Sequence, residues 1–338
     1  MRRVVHILFL LAPMALSAQD VHFSQFTNSP LVVNPALAGD MDLDQRLSLI
    51  YRDQWASAGT PFRTYAASYD LPLMRRKLGG NHLGLGVSAF RDKAGRTDLS
   101  DTRLDLSIAY ALRTGRNARL AFGLQFGYGQ RSAMLNGLRW DSQFNGSGYD
   151  PSLSSNEAFA DERTAFFDGG AGATWSSVLS GGVEWQVGAA AFHLLEPRVS
   201  LFGSSQDVLL RRYTVHGSAR WQGRKWTWSP RIFAAQQGGV REITLGGLVA
   251  RRMGMDSRFT SERTSNAFHL GCFYRVQDAI IPTMQFELKR RLVIGMSYDI
   301  NVSRLQARTN YQGGFEVGLQ WIGAFQDRRV DLPGPRSH

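Results

Sequence analysis

Between Arg119 and Gly129 the chain changes character at every second residue. Leu120, Phe122, Leu124, Phe126 and Tyr128 fall on one side of an extended backbone, and Ala121, Gly123, Gln125, Gly127 and Gly129 on the other. A sheet of a soluble protein hides its large apolar face and shows charge on the second. Here the second face is mostly glycine, which suits the packed or solvated interior of a barrel with lipid outside. The pattern recurs. Leu104, Leu106, Ile108, Tyr110 and Leu112 oppose Arg103, Asp105, Ser107, Ala109 and Ala111, and Leu83, Leu85, Val87 and Ala89 alternate with Gly84, Gly86, Ser88 and Phe90. A weaker form sets Tyr213, Val215, Gly217, Ala219 and Trp221 against Arg212, Thr214, His216, Ser218 and Arg220.

Helices compete poorly, because two or three glycines per ten residues each cost roughly 1 kcal/mol in a helix interior. The alternation predicts about fourteen strands, near 46–55, 63–71, 82–91, 99–112, 119–130, 165–176, 183–193, 211–221, 226–237, 241–251, 266–275, 279–288, 292–302 and 313–325. Mean hydropathy is −0.23, and no 18-residue apolar run occurs outside the first 18 positions, which excludes a helical membrane bundle. The connections alternate in length. Short basic ones (Met74–Lys77, Arg113–Arg116, Gln222–Lys225, Lys289–Arg291) face a set containing the stretches Gln130–Thr164 and Leu194–Leu210. Only the link from Arg252 to Ser265 is long on the short side. The expected fold is therefore all-β: a transmembrane antiparallel barrel of about fourteen strands with both termini periplasmic. Tyr51, Trp55, Tyr69, Tyr110, Tyr128, Trp175, Trp185, Trp221 and Trp321 stand near strand ends, where interfacial girdles form. A soluble sandwich would need shorter strands, and a propeller a repeat that is absent.

The first residues fix the compartment. Arg2 and Arg3 precede the apolar run Val4–Leu11 and the small-residue exit Ala15-Leu16-Ser17-Ala18, the layout of a secretory signal peptide. The boundaries that follow are a signal peptide at 1–18, an N-terminal periplasmic or plug segment at 19–45, the barrel at 46–325 and a periplasmic tail at 326–338. Within the second segment Pro30, Pro35 and Gly39 forbid a long helix or a central strand. An ordered segment packed by Phe23, Phe26 and Leu31 is expected there. Asp53 is odd, since it shares a face with Tyr51 and Trp55.

The chain also resembles a family. Gln19-Asp20-Val21-His22-Phe23-Ser24-Gln25-Phe26, Asn28-Ser29-Pro30-Leu31 and Asn34-Pro35-Ala36-Leu37-Ala38-Gly39 open it, followed by Tyr51-Arg52-Asp53-Gln54-Trp55 and Pro61-Phe62-Arg63-Thr64. Later come Phe192-His193-Leu194 with Glu196-Pro197, Arg212-Tyr213 with His216-Gly217, and Phe273-Tyr274-Arg275 with Asp278-Ala279-Ile280-Ile281-Pro282. Ser297–Ser303 and Gly313-Gly314-Phe315-Glu316-Val317 complete the set. In this order they resemble the PorP/SprF family of outer-membrane proteins of type IX secretion and gliding, with Thr27 where an aromatic is usual. The resemblance implies a barrel that supports export or surface attachment of a particular partner, such as a large motility adhesin with a C-terminal sorting domain. It also implies contact with other secretion and gliding components, some periplasmic, and with outer-membrane lipid.

Chemistry of its own is not expected. The single Cys272 excludes a disulfide framework and a cysteine zinc site. No Gly-x-Ser-x-Gly elbow occurs. His193 and Glu196 fall on opposite faces of a strand, and no cofactor or metal site is expected. The 39 basic residues exceed the 28 acidic ones by 11, but arginine is spread over turns and inward strand positions such as Arg103 and Arg220. Asp105, Asp168 and Glu184 are in reach as partners there, and no nucleic acid is required. The long stretch Gln130–Thr164, with Trp140, Phe144, Tyr149 and Phe159, is the expected external contact surface. The alternative functions are a porin-like channel and an outer-membrane hydrolase relying on His193 and His269.

Overall fold

In the computed structural model the alternation resolves into inside and outside. The structure describes residues 20–54, 62–75, 77–94, 99–133, 141–150, 152–154, 163–201, 207–223, 225–253, 266–303 and 312–325. On the strand Ala118–Ser132, Phe122 and Phe126 are 51% and 56% exposed, while Gly123 points inward against another part of the chain. With no charge on its outer face, such a strand is soluble only in lipid.

Fourteen strands form: β1 (Gln45–Gln54), β2 (Phe62–Leu73), β3 (His82–Ala94), β4 (Leu99–Arg113), β5 (Ala118–Ser132), β6 (Arg163–Val178), β7 (Val183–Phe192), β8 (Arg212–Gln222), β9 (Trp226–Gln237), β10 (Val240–Met253), β11 (Asn266–Arg275), β12 (Ala279–Leu288), β13 (Leu292–Asn301) and β14 (Gln312–Gly323). Each pairs antiparallel with its sequence neighbours, and β1 pairs with β14 from Gln45↔Gly323 to Gln54↔Gly314. The ring is closed, so no strand edge is left unpaired. Strands of 10–16 residues exceed the roughly 9–11 that a tilted strand needs to cross a bilayer. β7 stops at Phe192 because His193 adopts φ +57° and turns inward.

The even count puts the start of β1 and the end of β14 at one end of the barrel. That end carries the turns with Arg75, Lys77, Arg116, Lys225 and Lys289–Arg291, and is called the short-turn end below. The long links after β5 and β7 belong to the other, long-loop end. Most of the link between β10 and β11 lies outside the described residues. Outward tryptophans Trp175, Trp185, Trp221, Trp226, Trp228 and Trp321 gather at the short-turn end, and Tyr51, Tyr65, Tyr128, Tyr213, Tyr274 and Tyr298 at the other. Two aromatic belts thus bracket the apolar band. Trp55 lies outside the described residues. Asp53 is explained by its neighbours at the long-loop rim: it accepts from Tyr51 Oη (3.1 Å) and faces Arg63 Nε (3.4 Å).

The barrel is not hollow. Residues 20–44 run through the lumen as a strap with a single α-turn, Pro30–Val33, between 3-10 turns at Phe26–Asn28 and Pro35–Leu37. Asp20 lies at the long-loop end, where its N–H donates to Gln237 Oε1 at the tip of β9 (2.8 Å). Asp44 lies at the short-turn end, where its N–H donates to Gly323 O (2.9 Å). The expectation that both termini are periplasmic concerns residues before 20 and after 325, which lie outside the described residues. Asp20 stands at one mouth and Phe325 at the other, because the strap has to descend the lumen before β1 can begin.

Candidate functional site

The strap and the wall facing it form the most elaborate polar site in the molecule. It divides into three parts along the descent.

At the lip, the Asp20 carboxylate meets Arg103 of β4 (2.9 Å), Arg212 of β8 (3.2 Å) and His193 Nε2 (3.0 Å). Asp168 of β6 holds the other ring nitrogen of His193. Arg103 also meets Asp101 (3.3 Å) and lies over the rings of Phe90 and Phe166. Burial opposes ionisation of Asp20, but Arg103, His193 and Arg212 outweigh it and hold the carboxyl well below its ordinary value of 3.8. Asp105, Asp168 and Glu184 are the partners that the sequence offers to inward arginines such as Arg103 and Arg220. Arg103 instead pairs with Asp20 and Asp101, and Glu184 is a register neighbour of Arg220 without an ion pair.

One step down, Ser24 and Gln25 sit in a four-charge cluster on β1, β11, β13 and β14. Arg52 bridges Asp299 (2.8 Å) and Glu316 (3.0 Å), and Arg275 also reaches Asp299 (3.0 Å). Ser24 Oγ donates to Asp299 Oδ1 (2.6 Å) and accepts from Arg52 Nη1 (2.7 Å) and Arg275 Nη2 (2.8 Å). The N–H groups of Ser24 and Gln25 donate to the two oxygens of Glu316 (2.8 and 2.7 Å). A buried carboxylate is tolerable only with such partners, and here the strap supplies half of them. His22 lies in the same corner, with its Nε2 3.4 Å from Arg52 Nη2. Its burial, then the Arg275 and Arg52 guanidiniums, hold the imidazole neutral, with its pKa well below the ordinary 6.5.

Below Phe26, shape takes over. Phe26 stacks on Phe233 (5.3 Å between ring centroids) and meets Phe273 edge-on (6.0 Å), in a cluster with Val33, Leu37, Leu248 and Ile281. Leu31 is fully buried. The prolines that rule out a strand leave carbonyls to be satisfied by the wall. Gln125 Nε2 donates to Leu31 O (3.3 Å), Thr214 Oγ1 to Val33 O (2.9 Å) and Arg46 Nη2 to Leu37 O (3.0 Å). Asn34 reverses the direction, donating to Ala173 O (3.0 Å) and Ala189 O (3.1 Å). Glycine is required where the backbones touch. A Cβ on Gly123 would lie 2.3 Å from Ala36 N, and one on Gly84 only 1.8 Å from Ala38 O. The small inward face that first marked the sequence is therefore the bed of the strap.

This arrangement can occlude a pore. Both ring nitrogens of His193 are engaged, by Asp20 and Asp168, and His269 Nε2 pairs with Glu287 (2.9 Å).

Of the residues expected to contact a partner, the structure brings two together. Phe144 and Tyr149 bridge across a small hairpin closed by Asp150 N–H to Gln143 O (2.8 Å), with Phe144 61% exposed. Trp140 and Phe159 lie outside the described residues. Sequence reasoning missed Asp20, Ser24, Asp299 and Glu316. The only available signal was that inward carboxylates on β13 and β14 need a counter-ion that those strands do not carry.

A family model described as type IX secretion system membrane protein PorP/SprF matches residues 15–321. No curated protein matches the chain. Among solved structures, the chain is similar to the Ralstonia pickettii toluene transporter TbuX at a TM-score of 0.49 and 9% identity, covering 87% of this chain and 93% of that one. It is also similar to a Pseudomonas aeruginosa FadL homologue at a TM-score of 0.45 and 11% identity, with 86% and 92% covered. A third likeness is to the Acinetobacter baumannii outer membrane protein Omp33, at a TM-score of 0.38 and 5% identity, with 84% and 100% covered.

Proposed function

Because the chain belongs to the PorP/SprF family of type IX secretion system membrane proteins, whose model spans most of it, we propose that it is an occluded outer-membrane barrel that holds one secreted partner at the cell surface. In this reading the signal peptide 1–18 is removed on export. The short-turn end, with its basic turns and the tail 326–338, faces the periplasm and other secretion and gliding components. The long-loop end faces outward and binds the cargo, an adhesin carrying a type IX sorting domain, through Trp140, Phe144, Tyr149 and Phe159. The protein carries out no reaction itself.

The observation that supports this over a porin-like channel is the strap. It enters at one mouth, leaves at the other, and satisfies its polar groups on the wall throughout. A segment bonded in this way resists displacement by solute. Two measurements test the reading. The purified protein in planar bilayers should show no steady ion conductance, and open-channel steps would overturn occlusion. Replacing residues 141–153 by a Gly-Ser linker should abolish surface retention of the adhesin while the barrel stays folded. Undiminished retention would overturn the role of this loop.

A further inference from the structure

The strap does not fill the lumen evenly. Near the short-turn end it leans toward β2–β7, where Asp40 meets Arg119 of β5 (3.3 Å) and Gln186 of β7 (2.5 Å). On the wall between β8 and β12 a small polar recess remains, lined by Arg220, Thr227, Arg252, His269, Glu287 and Arg290. Further along β9, Arg231 donates to Thr27 Oγ1 of the strap (2.6 Å).

The charge in this recess differs from that of the rest of the lumen. Arg46, Arg52, Arg103, Arg212 and Arg275 each have a carboxylate within 4.0 Å. Among the described residues Arg220, Arg231 and Arg290 have none, and the one acid of the recess, Glu287, is engaged by His269 at 2.9 Å. Glu287 is also drawn toward Arg220 and Arg290. One carboxylate set against Arg220, Arg252 and Arg290 still leaves cations in excess among the described lining residues. Inside a low-dielectric wall such an excess focuses a positive field toward the opening. Lys225, Lys289 and Arg291 continue it around the rim. Guanidiniums bind carboxylates in paired hydrogen bonds and are readily desolvated, which suits them to a narrow polar recess. Arg220 and Arg231 face inward from β8 and β9, separated by the wall from the lipid, so bilayer headgroups do not reach them. A chain entering from the aqueous mouth does.

We propose that this recess is a docking site for an acidic polypeptide segment that inserts glutamate or aspartate carboxylates into the lumen from the short-turn end. The proposal does not depend on which cargo the long loops hold, and either can fail alone.

The test uses the full-length protein in zwitterionic detergent and a rhodamine-labelled hexaglutamate peptide read by fluorescence anisotropy. Binding is expected, weakening steeply with salt, and a hexaglutamine peptide should not bind. The Arg220→Gln/Arg290→Gln variant should bind at least tenfold more weakly, whereas Arg63→Gln at the far rim should not differ from the parent. Arg220→Glu/Arg290→Glu should lose hexaglutamate and gain a hexalysine peptide. If a double variant does not fold, as judged by heat-modified gel mobility, Arg290→Gln alone in the exposed turn gives the same comparison with a smaller loss. Equal affinity of parent and Gln variants would overturn the site. So would anion binding seen only on phosphatidylglycerol vesicles, which would make this end a membrane-surface contact. Binding that emerges only after Asp256→Asn and Glu262→Gln would overturn it too, the recess then being served by the chain's own β10–β11 link.

Discussion

The two halves of the strap are held in different ways. From Asp20 to Gln25 it is held by charge: two carboxylates of the wall, one of its own and four arginines meet within hydrogen-bonding distance. From Pro30 to Gly39 it is held by fit, with Leu31 fully buried and glycines removed from the path of its backbone. The difference teaches where each kind of hold is fragile. A charge cluster fails when one member is removed or titrated, since the others are then stranded in a dry interior. A fitted segment fails in proportion to the volume added or lost, and is indifferent to pH.

The largest effect is expected at the charged half. Arg52→Met leaves Asp299 and Glu316 facing each other with one cation fewer, a loss of about 3–5 kcal/mol. It should show as a lower unfolding midpoint in detergent and as new ion conductance. Leu31→Ala in the fitted half should cost about 2–4 kcal/mol and leave conductance low, because the backbone stays bonded to Gln125 and Thr214. A larger loss for Leu31→Ala than for Arg52→Met would reverse the comparison. Next comes Gly84→Val, whose added atoms collide with Ala38 O. About 1–3 kcal/mol is expected, with faster amide exchange at Gly39. Gly148→Ala, where nothing lies within 4 Å, serves as its control and should change nothing.

Acidity separates the halves more finely. His22 is held neutral in the folded state, whereas a released strap takes up a proton near pH 6.5. The resulting penalty is absent above pH 6.5 and grows as the pH falls below it. Asp20 acts in the same direction further down, its stabilisation being intact above pH 3.8 and lost below that value. The unfolding midpoint should therefore fall between pH 7.5 and pH 5. His22→Gln should flatten that dependence, and Leu31→Ala should leave it unchanged. The smallest effect on stability belongs to Phe144→Ser, within about 0.5 kcal/mol because the ring is already exposed. Surface retention of the cargo is expected to drop there, and a stable barrel with normal retention would count against Phe144.

How much of this was legible follows from the kind of signal involved. Alternation is local, so all fourteen strands and the inward side of β5 could be read directly, with ends such as that of β3 short by three residues. Pairing across the lumen is not local. Nothing near Arg103 points to Asp20, and nothing near Arg52 points to Asp299 or Glu316, because the spacing between them depends on the circumference of a ring that is not yet closed. Alternation says which face a residue takes and is silent on what stands opposite. Gly123 was thus placed correctly, while its reason, Ala36 pressed against it, came only with the structure. The course of the strap from one mouth to the other was illegible on the same ground. A segment too rich in proline to be a strand carries no period from which to read its direction.

The seam between β1 and β14 gives the strap one more property. A cord lying in a ring with no gap can be drawn only lengthwise, so the wall and its contents are linked by topology as well as by contact. The closing seam joins the first and last strands, the least local strand pairing in the fold. Non-local pairings carry the greatest cost in chain entropy before they form. The strap leads the chain and is available before any hairpin is added. Laying it down first lets the hairpins assemble around it, and the bore never has to be threaded.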